Sequence, residues 1–118
     1  MYNVIRVAID VATPLILKLN MYSNENNCRI TGESWRKAVE LYRRFAEVMH
    51  KSYGAITSAE IVDGTLEIIG TVDVLDVYGE TVDIFCQVLA MSDTFQAEPI
   101  DGEYIDITIT LDCDWEAV

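Results

Sequence analysis

Few side chains in this sequence could make or break bonds: one imidazole, His50, three thiols, Cys28, Cys86 and Cys113, and a large stock of carboxylates. A nucleophile needs an activating base, and His50 lies beside Lys51 with no serine or cysteine at a recognisable motif. Two carboxylates can act as acid and base only in a cleft that drives their pKa values apart, and no pattern here marks one. Gly64, Gly70 and Gly79 stand alone, so there is no glycine-rich phosphate loop. The cysteines are odd in number and lack C-x-x-C spacing, which points to reduced thiols in a cytosol-like compartment rather than disulfides. With His50 they match a zinc site in residue type but not in spacing. Asp112-x-Asp114-x-Glu116 opens like a calcium loop but lacks the required glycine and bidentate glutamate. The expectation is a cytoplasmic, non-enzymatic protein without cofactor or metal.

What the carboxylates can do is bind. Residues 55–118 hold 15 Asp and Glu and not one Lys, Arg or His, whereas residues 1–54 hold all 8 basic residues beside 5 acids. The first part therefore carries +3 and the second −15 of the net −12. Such a balance disfavours direct contact with nucleic acid or anionic lipid, both of which need Lys and Arg. It favours a basic protein surface. Acids two apart on a strand stand about 6.6 Å from each other on one face, so a sheet with several such rows offers a phosphate-binding groove a rigid anionic array. The residues expected to form it are Glu60, Glu67, Asp73, Asp83, Phe85, Asp106 and Asp112. The plainer explanation of the acidity is solubility or a high-salt habitat.

These side chains must be positioned by local structure. At 118 residues the chain fits one domain, 1–118, with a mildly basic part to residue 54 and an acidic sheet after it. Arg6 and Asp10 interrupt the early apolar residues, so no signal peptide is expected, and no apolar run approaches the roughly 20 residues that span a bilayer. Ile5, Val7, Ile9 and Val11, then Leu15, Leu17, Leu19 and Met21, alternate with polar residues and read as two strands broken at Pro14. A helix is the alternative, since Asn3, Arg6, Asp10 and Thr13 fall at helical spacing. Ser23–Asn27 reads as loop.

From Glu33 to Tyr53 the apolar positions Trp35, Ala38, Val39, Tyr42, Phe45, Ala46 and Met49 define one face of a long helix. Thr31 or Ser34 suits its cap and Gly54 its left-handed end. Its outer side pairs Glu33, Glu40 and Glu47 with Lys37, Arg44 and Lys51. Asp63-Gly64 then predicts a hairpin with Ile61 opposite Leu66, Ala59 opposite Ile68, and Glu60 opposite Glu67. A turn at Tyr78-Gly79-Glu80 would return residues 82–91 as a third strand, with Val74 opposite Ile84 and Val72 opposite Cys86. Residues 92–102 read as loop, Ile105–Asp112 as a strand with one wet face, and the rest as a trailing acidic tail.

The fold class expected is α+β: one long amphipathic helix on an antiparallel sheet of four to six strands, preceded by strands or a second helix. Leu66, Ile68, Val72, Val74 and Ile84 should meet Trp35, Val39, Tyr42 and Phe45. The other sheet face would show Glu60, Glu67, Asp73 and Asp83 with Ile69, Phe85 and Leu89, unless residues 1–22 cover those three apolar side chains. The function expected is a non-enzymatic interaction protein whose acidic sheet face binds a basic partner, most concretely as a nucleic-acid mimic that inhibits a nucleic-acid-binding protein. The alternative is self-association, basic helix back to acidic sheet face, which builds rings or filaments.

Overall fold

Thr13-Pro14 starts a helix instead of ending a strand in the computed structural model, which describes residues 11–73, 79–102 and 104–118. Helix α1 spans Thr13–Asn26, with Pro14 in the first turn, where a missing N–H breaks no intrahelical bond and the fixed φ already suits a helix. The alternation that suggested a strand divides differently on a helix: Leu15 and Leu19 stack one turn apart and are buried, while Leu17 and Met21 are exposed. The helix runs through the expected loop at Ser23–Asn26 and stops at Asn27, which has a left-handed φ of 50°. The stretch from Ile5 to Ile9, expected as strand, lies outside the described residues.

Strand β1, Cys28–Ile30, leads directly into helix α2, Gly32–Lys51. Thr31 caps α2 by accepting the Ser34 N–H at 3.2 Å. Its buried face carries Ala38, Val39, Tyr42, Phe45 and Met49, joined by Leu41 and Val48. The end differs from expectation. Tyr53, not Gly54, takes the left-handed conformation, with φ 57°. Gly54 is required for space, because a Cβ there would lie 2.1 Å from the Thr71 carbonyl oxygen. Since Tyr53 is 79 % exposed, Tyr53→Gly should relieve the left-handed penalty at little loss of contact. The expected gain is about 0.5–1 kcal/mol, read as a thermal midpoint a few degrees higher.

Strands β2, Ala55–Val62, and β3, Thr65–Val72, form the predicted hairpin. Asp63 and Gly64 both have positive φ, 51° and 84°, as the two-residue turn demands. The register pairs Ile61 with Leu66, Ala59 with Ile68 and Glu60 with Glu67, as the loop length predicts. The continuation of β3 through Val74, and the turn residue Tyr78, lie outside the described residues.

The expected third strand is instead helix α3, Glu80–Met91. Thr81, Ile84, Val88 and Met91 recur at helical steps, and Thr81 and Val88 are buried where α3 packs on α2. The β-branched residues Val82, Ile84 and Val88 favour a strand locally, but packing against α2 overrides that preference. Val72 consequently pairs with Ile105 and not with Cys86, which like Ile84 lies in α3, while Val74 lies outside the described residues. After α3 the chain makes strands β4, Thr94–Pro99, where loop was expected, β5, Ile105–Asp112, and β6, Trp115–Ala117.

The fold is α+β, with an antiparallel four-stranded sheet in the order β2-β3-β5-β4 and a two-stranded sheet of β1 and β6. One face of the larger sheet, with Leu66, Ile68, Val72, Ile107, Ile109 and Leu111, joins the α2 residues in one core. Gly70 marks the closest approach: a Cβ there would meet the Met49 Sδ at 2.5 Å and the Phe45 ring at 3.0 Å. The expected acidic tail is tied down. Trp115 donates its indole N–H to the Gly64 carbonyl at 2.9 Å and stacks at a tilt on Tyr22, with centroids 4.6 Å apart. The Asp114 carbonyl accepts the Thr31 N–H at 3.0 Å.

Candidate acidic sheet face

Alternation along each strand decides what the opposite face of the four-stranded sheet displays. In β3, Leu66, Ile68, Gly70 and Val72 are buried, while Thr65, Glu67, Ile69 and Thr71 between them stay partly exposed. By the register, Glu67 lies between Glu60 and Thr110, Ile69 between Ser58 and Thr108, and Thr71 faces Asp106. On β4, Thr94, Gln96 and Glu98 continue these rows beside Thr110, Thr108 and Asp106. The face is built mostly of carboxylates and hydroxyls, with Ile69 at its centre and Val62 and Ala55 at the β2 edge as its apolar members.

Its charge is divided between two ends. Glu60, Glu67 and Asp112 gather near the hairpin turn, and Asp106 and Glu98 lie at the other end. The row of Ser58, Ile69, Thr108 and Gln96 forms an uncharged waist. Glu67 and Asp106 are separated by four residues of strand length, about 13 Å. Threonines hold the carboxylates in place: the Thr71 hydroxyl donates to Asp106 at 2.6 Å and the Thr65 hydroxyl to Asp112 at 2.9 Å. Asp93 accepts the Asp112 N–H at 2.6 Å. Glu60 and Glu67, directly opposite, repel each other, and Lys18 offsets this by reaching Glu60 at 3.0 Å from α1. That pair is exposed and contributes at most about 1 kcal/mol.

Four of the expected site residues therefore share one surface: Glu60, Glu67, Asp106 and Asp112. Asp73 is exposed in a bend just past the end of β3. Asp83 and Phe85 are not on this face, because they lie on α3 in the helical layer, where the Phe85 ring meets Phe95 edge-on at 5.8 Å. The cluster imagined from Ile69, Phe85 and Leu89 is thereby divided between the two layers. Thr108 and Thr110 fall on the wet side of β5 as its alternation predicts, whereas Thr94, Gln96 and Glu98 of β4 went unanticipated. The alternation of Thr94, Gln96 and Glu98 with Phe95, Ala97 and Pro99 was the signal for them.

On the helical side, Lys37, Arg44 and Lys51 pair with Glu33, Glu40 and Glu47 one turn away, and Arg44 also donates to Gln87 of α3. Trp35, Arg36, Lys37 and Arg43 rim a hollow of about 520 Å³ floored by Ile16, Val39 and Met91. Among the described residues no three His, Cys, Asp or Glu side chains lie close enough to hold a metal ion. The three cysteines are free.

Burial pushes the Cys113 thiol up to about 11, against a backbone hydrogen bond that lowers it and with Asp112, Asp114 and Asp93 adding to the rise. Burial also raises the Tyr42 hydroxyl. Both groups hold their protons more tightly in the folded chain, so the unfolded chain releases protons first as pH rises. The Cys113 stabilisation is complete below the ordinary thiol value of 9.0 and is lost toward about 11, and that of Tyr42 is lost only above its ordinary value of 10.0. Thermal midpoints should be level to about pH 8.5 and decline above it, with a shallower decline in Cys113→Ala. A level profile to about pH 11 would contradict this.

Fold and face together define a two-layer α+β protein with an acidic, hydroxyl-rich sheet face that is partly exposed among the described residues. Compared with protein-family models, with curated proteins and with solved structures, the chain matches none. No described helix is long and apolar enough to cross a membrane.

Proposed function

We propose that this protein is a non-enzymatic binding module whose open sheet face docks on a basic protein surface, most concretely the nucleic-acid-binding groove of a partner that it inhibits. The observation that carries the reading is the placement of Glu60, Glu67, Glu98, Asp106 and Asp112 on one face of a sheet whose other face is the core. Hydrogen bonds from Thr65 and Thr71 fix two of those carboxylates before any partner arrives, which lowers the ordering cost of binding. The two acidic ends would meet cationic side chains that otherwise grip phosphates, and the waist around Ile69 would meet the groove floor. Head-to-tail self-association is less favoured, since Lys37, Arg44 and Lys51 already pair within α2.

The test is the triple variant Glu60→Gln, Glu67→Gln, Asp106→Asn. Each lost contact is worth about 1 kcal/mol, so affinity for the captured partner should drop roughly 100-fold while the thermal midpoint stays level or rises slightly. Capture of a nucleic-acid-binding protein from lysate should weaken with salt and be displaced by duplex DNA. If the variant retains the same proteins equally well, the face is not the site.

A further inference from the structure

We infer that β4 is a dimerisation edge that pairs antiparallel with β4 of a second copy about a two-fold axis. All of Thr94–Pro99 is exposed, and β4 ends the strand order, with no described strand beyond it. The Ile100 N–H donates to the Tyr104 carbonyl at 2.8 Å, and Pro99 lies opposite Ile105. Alternation from that bond aims the backbone groups of Gln96 and Glu98 at β5 and those of Phe95 and Ala97 outward. Pro99 falls in the outward set, where its missing N–H breaks no bond inside the sheet. The opposite edge strand, β2, is packed by α1, whereas the outward N–H groups of Phe95 and Ala97 meet no acceptor among the described residues.

Beside this edge lies partly exposed apolar surface. Val82, Phe85 and Leu89 recur at helical steps along α3, with Val82 38 % and Leu89 37 % exposed, next to Phe95 at 42 %. A free edge flanked by exposed apolar side chains is surface that association would bury.

A second copy fits this edge because the edge is complementary to itself. An axis through Gln96 or Ala97 brings each outward N–H of Phe95 and Ala97 to a carbonyl of the other copy, and places both α3 stripes on the same side of the junction. The one charged residue, Glu98, then faces Thr94 or Gln96 of the second copy and never another Glu98. A basic partner would find a single carboxylate here. The two sheets would merge into one of eight strands, leaving the acidic faces side by side and open, so this inference stands apart from the proposed function. Because each copy carries −12, salt should strengthen the dimer, the opposite of its effect on head-to-tail assembly.

Light scattering over a wide concentration range, in low salt and in roughly 0.5 M salt, tests this. The wild-type protein should reach twice its 13.3 kDa chain mass, at lower concentration in high salt. Ala97→Pro removes one outward N–H and no bond to β5, and Phe95→Lys charges the edge. Either should weaken dimerisation by roughly tenfold or more with unchanged circular dichroism. Should Ala97→Pro unfold the protein, Phe95→Lys decides. A monomer under every condition, a mass that grows past the dimer, or a dimer indifferent to both substitutions overturns the inference.

Discussion

Phe45→Ala is expected to lower the unfolding free energy by about 3–5 kcal/mol, a large part of the roughly 5–15 kcal/mol that holds a domain of this size together. Phe45 is fully buried on α2, and its ring lies where the sheet comes closest, within 3.0 Å of where a Cβ on Gly70 would stand. Truncation empties the space between helix and sheet. Neither neighbour can follow, because Met49 already fills the other side of Gly70 and β3 is held by β2 and β5. Urea unfolding followed by circular dichroism measures the loss. A decrease below about 1 kcal/mol would mean that the helix–sheet contact at Gly70 is not the centre of the core. Partner capture should fall with the folded fraction and recover on cooling, unlike the neutralised face, which stays folded and does not bind.

Gly54→Ala should be nearly as damaging, at about 3 kcal/mol or more, for a reason unrelated to backbone conformation. Gly54 has no positive φ, so alanine could adopt its dihedral angles. Its Cβ, however, would stand 2.1 Å from the Thr71 carbonyl oxygen and 2.9 Å from the Val72 Cα, atoms of the sheet itself that cannot swing aside. Either the end of α2 or the start of β2 would have to move. Gly32→Ala is the matched control, since nothing lies within 4 Å of its added Cβ and α2 has begun there. That variant should be neutral or slightly stabilising, because alanine is the better helix former. Equal losses in the two variants would remove the steric explanation.

The sequence alone determined whatever rests on local chemistry. Helix α2 has an apolar stripe long enough to outweigh any alternative, a threonine cap and glutamate–lysine pairs one turn apart. The hairpin was legible because Asp63-Gly64 admits the left-handed angles that few pairs do, and a two-residue loop leaves one register. That register, with the alternation of β5, placed Glu60, Glu67, Asp106 and Asp112 on the wet side, so most of the acidic face was readable too.

Tertiary structure decided the rest. Residues 80–91 carry strand-prone side chains yet form α3, because a helix there buries Thr81 and Val88 against α2. That change took Asp83 and Phe85 away from the acidic face and made β5 the second neighbour of β3. Leu15, Leu17, Leu19 and Met21 fit a strand in the sequence, but burial selects Leu15 and Leu19 and leaves Leu17 out, which a helix does and a strand does not. The six residues of β4 alternate like a strand, but Pro99 and the Asp101-Gly102 turn signal beside them read as loop, and they become a strand because β5 offers an edge to pair with. Periodicity describes what a segment can bury. What it does bury depends on which neighbour arrives, and that is a property of the whole chain.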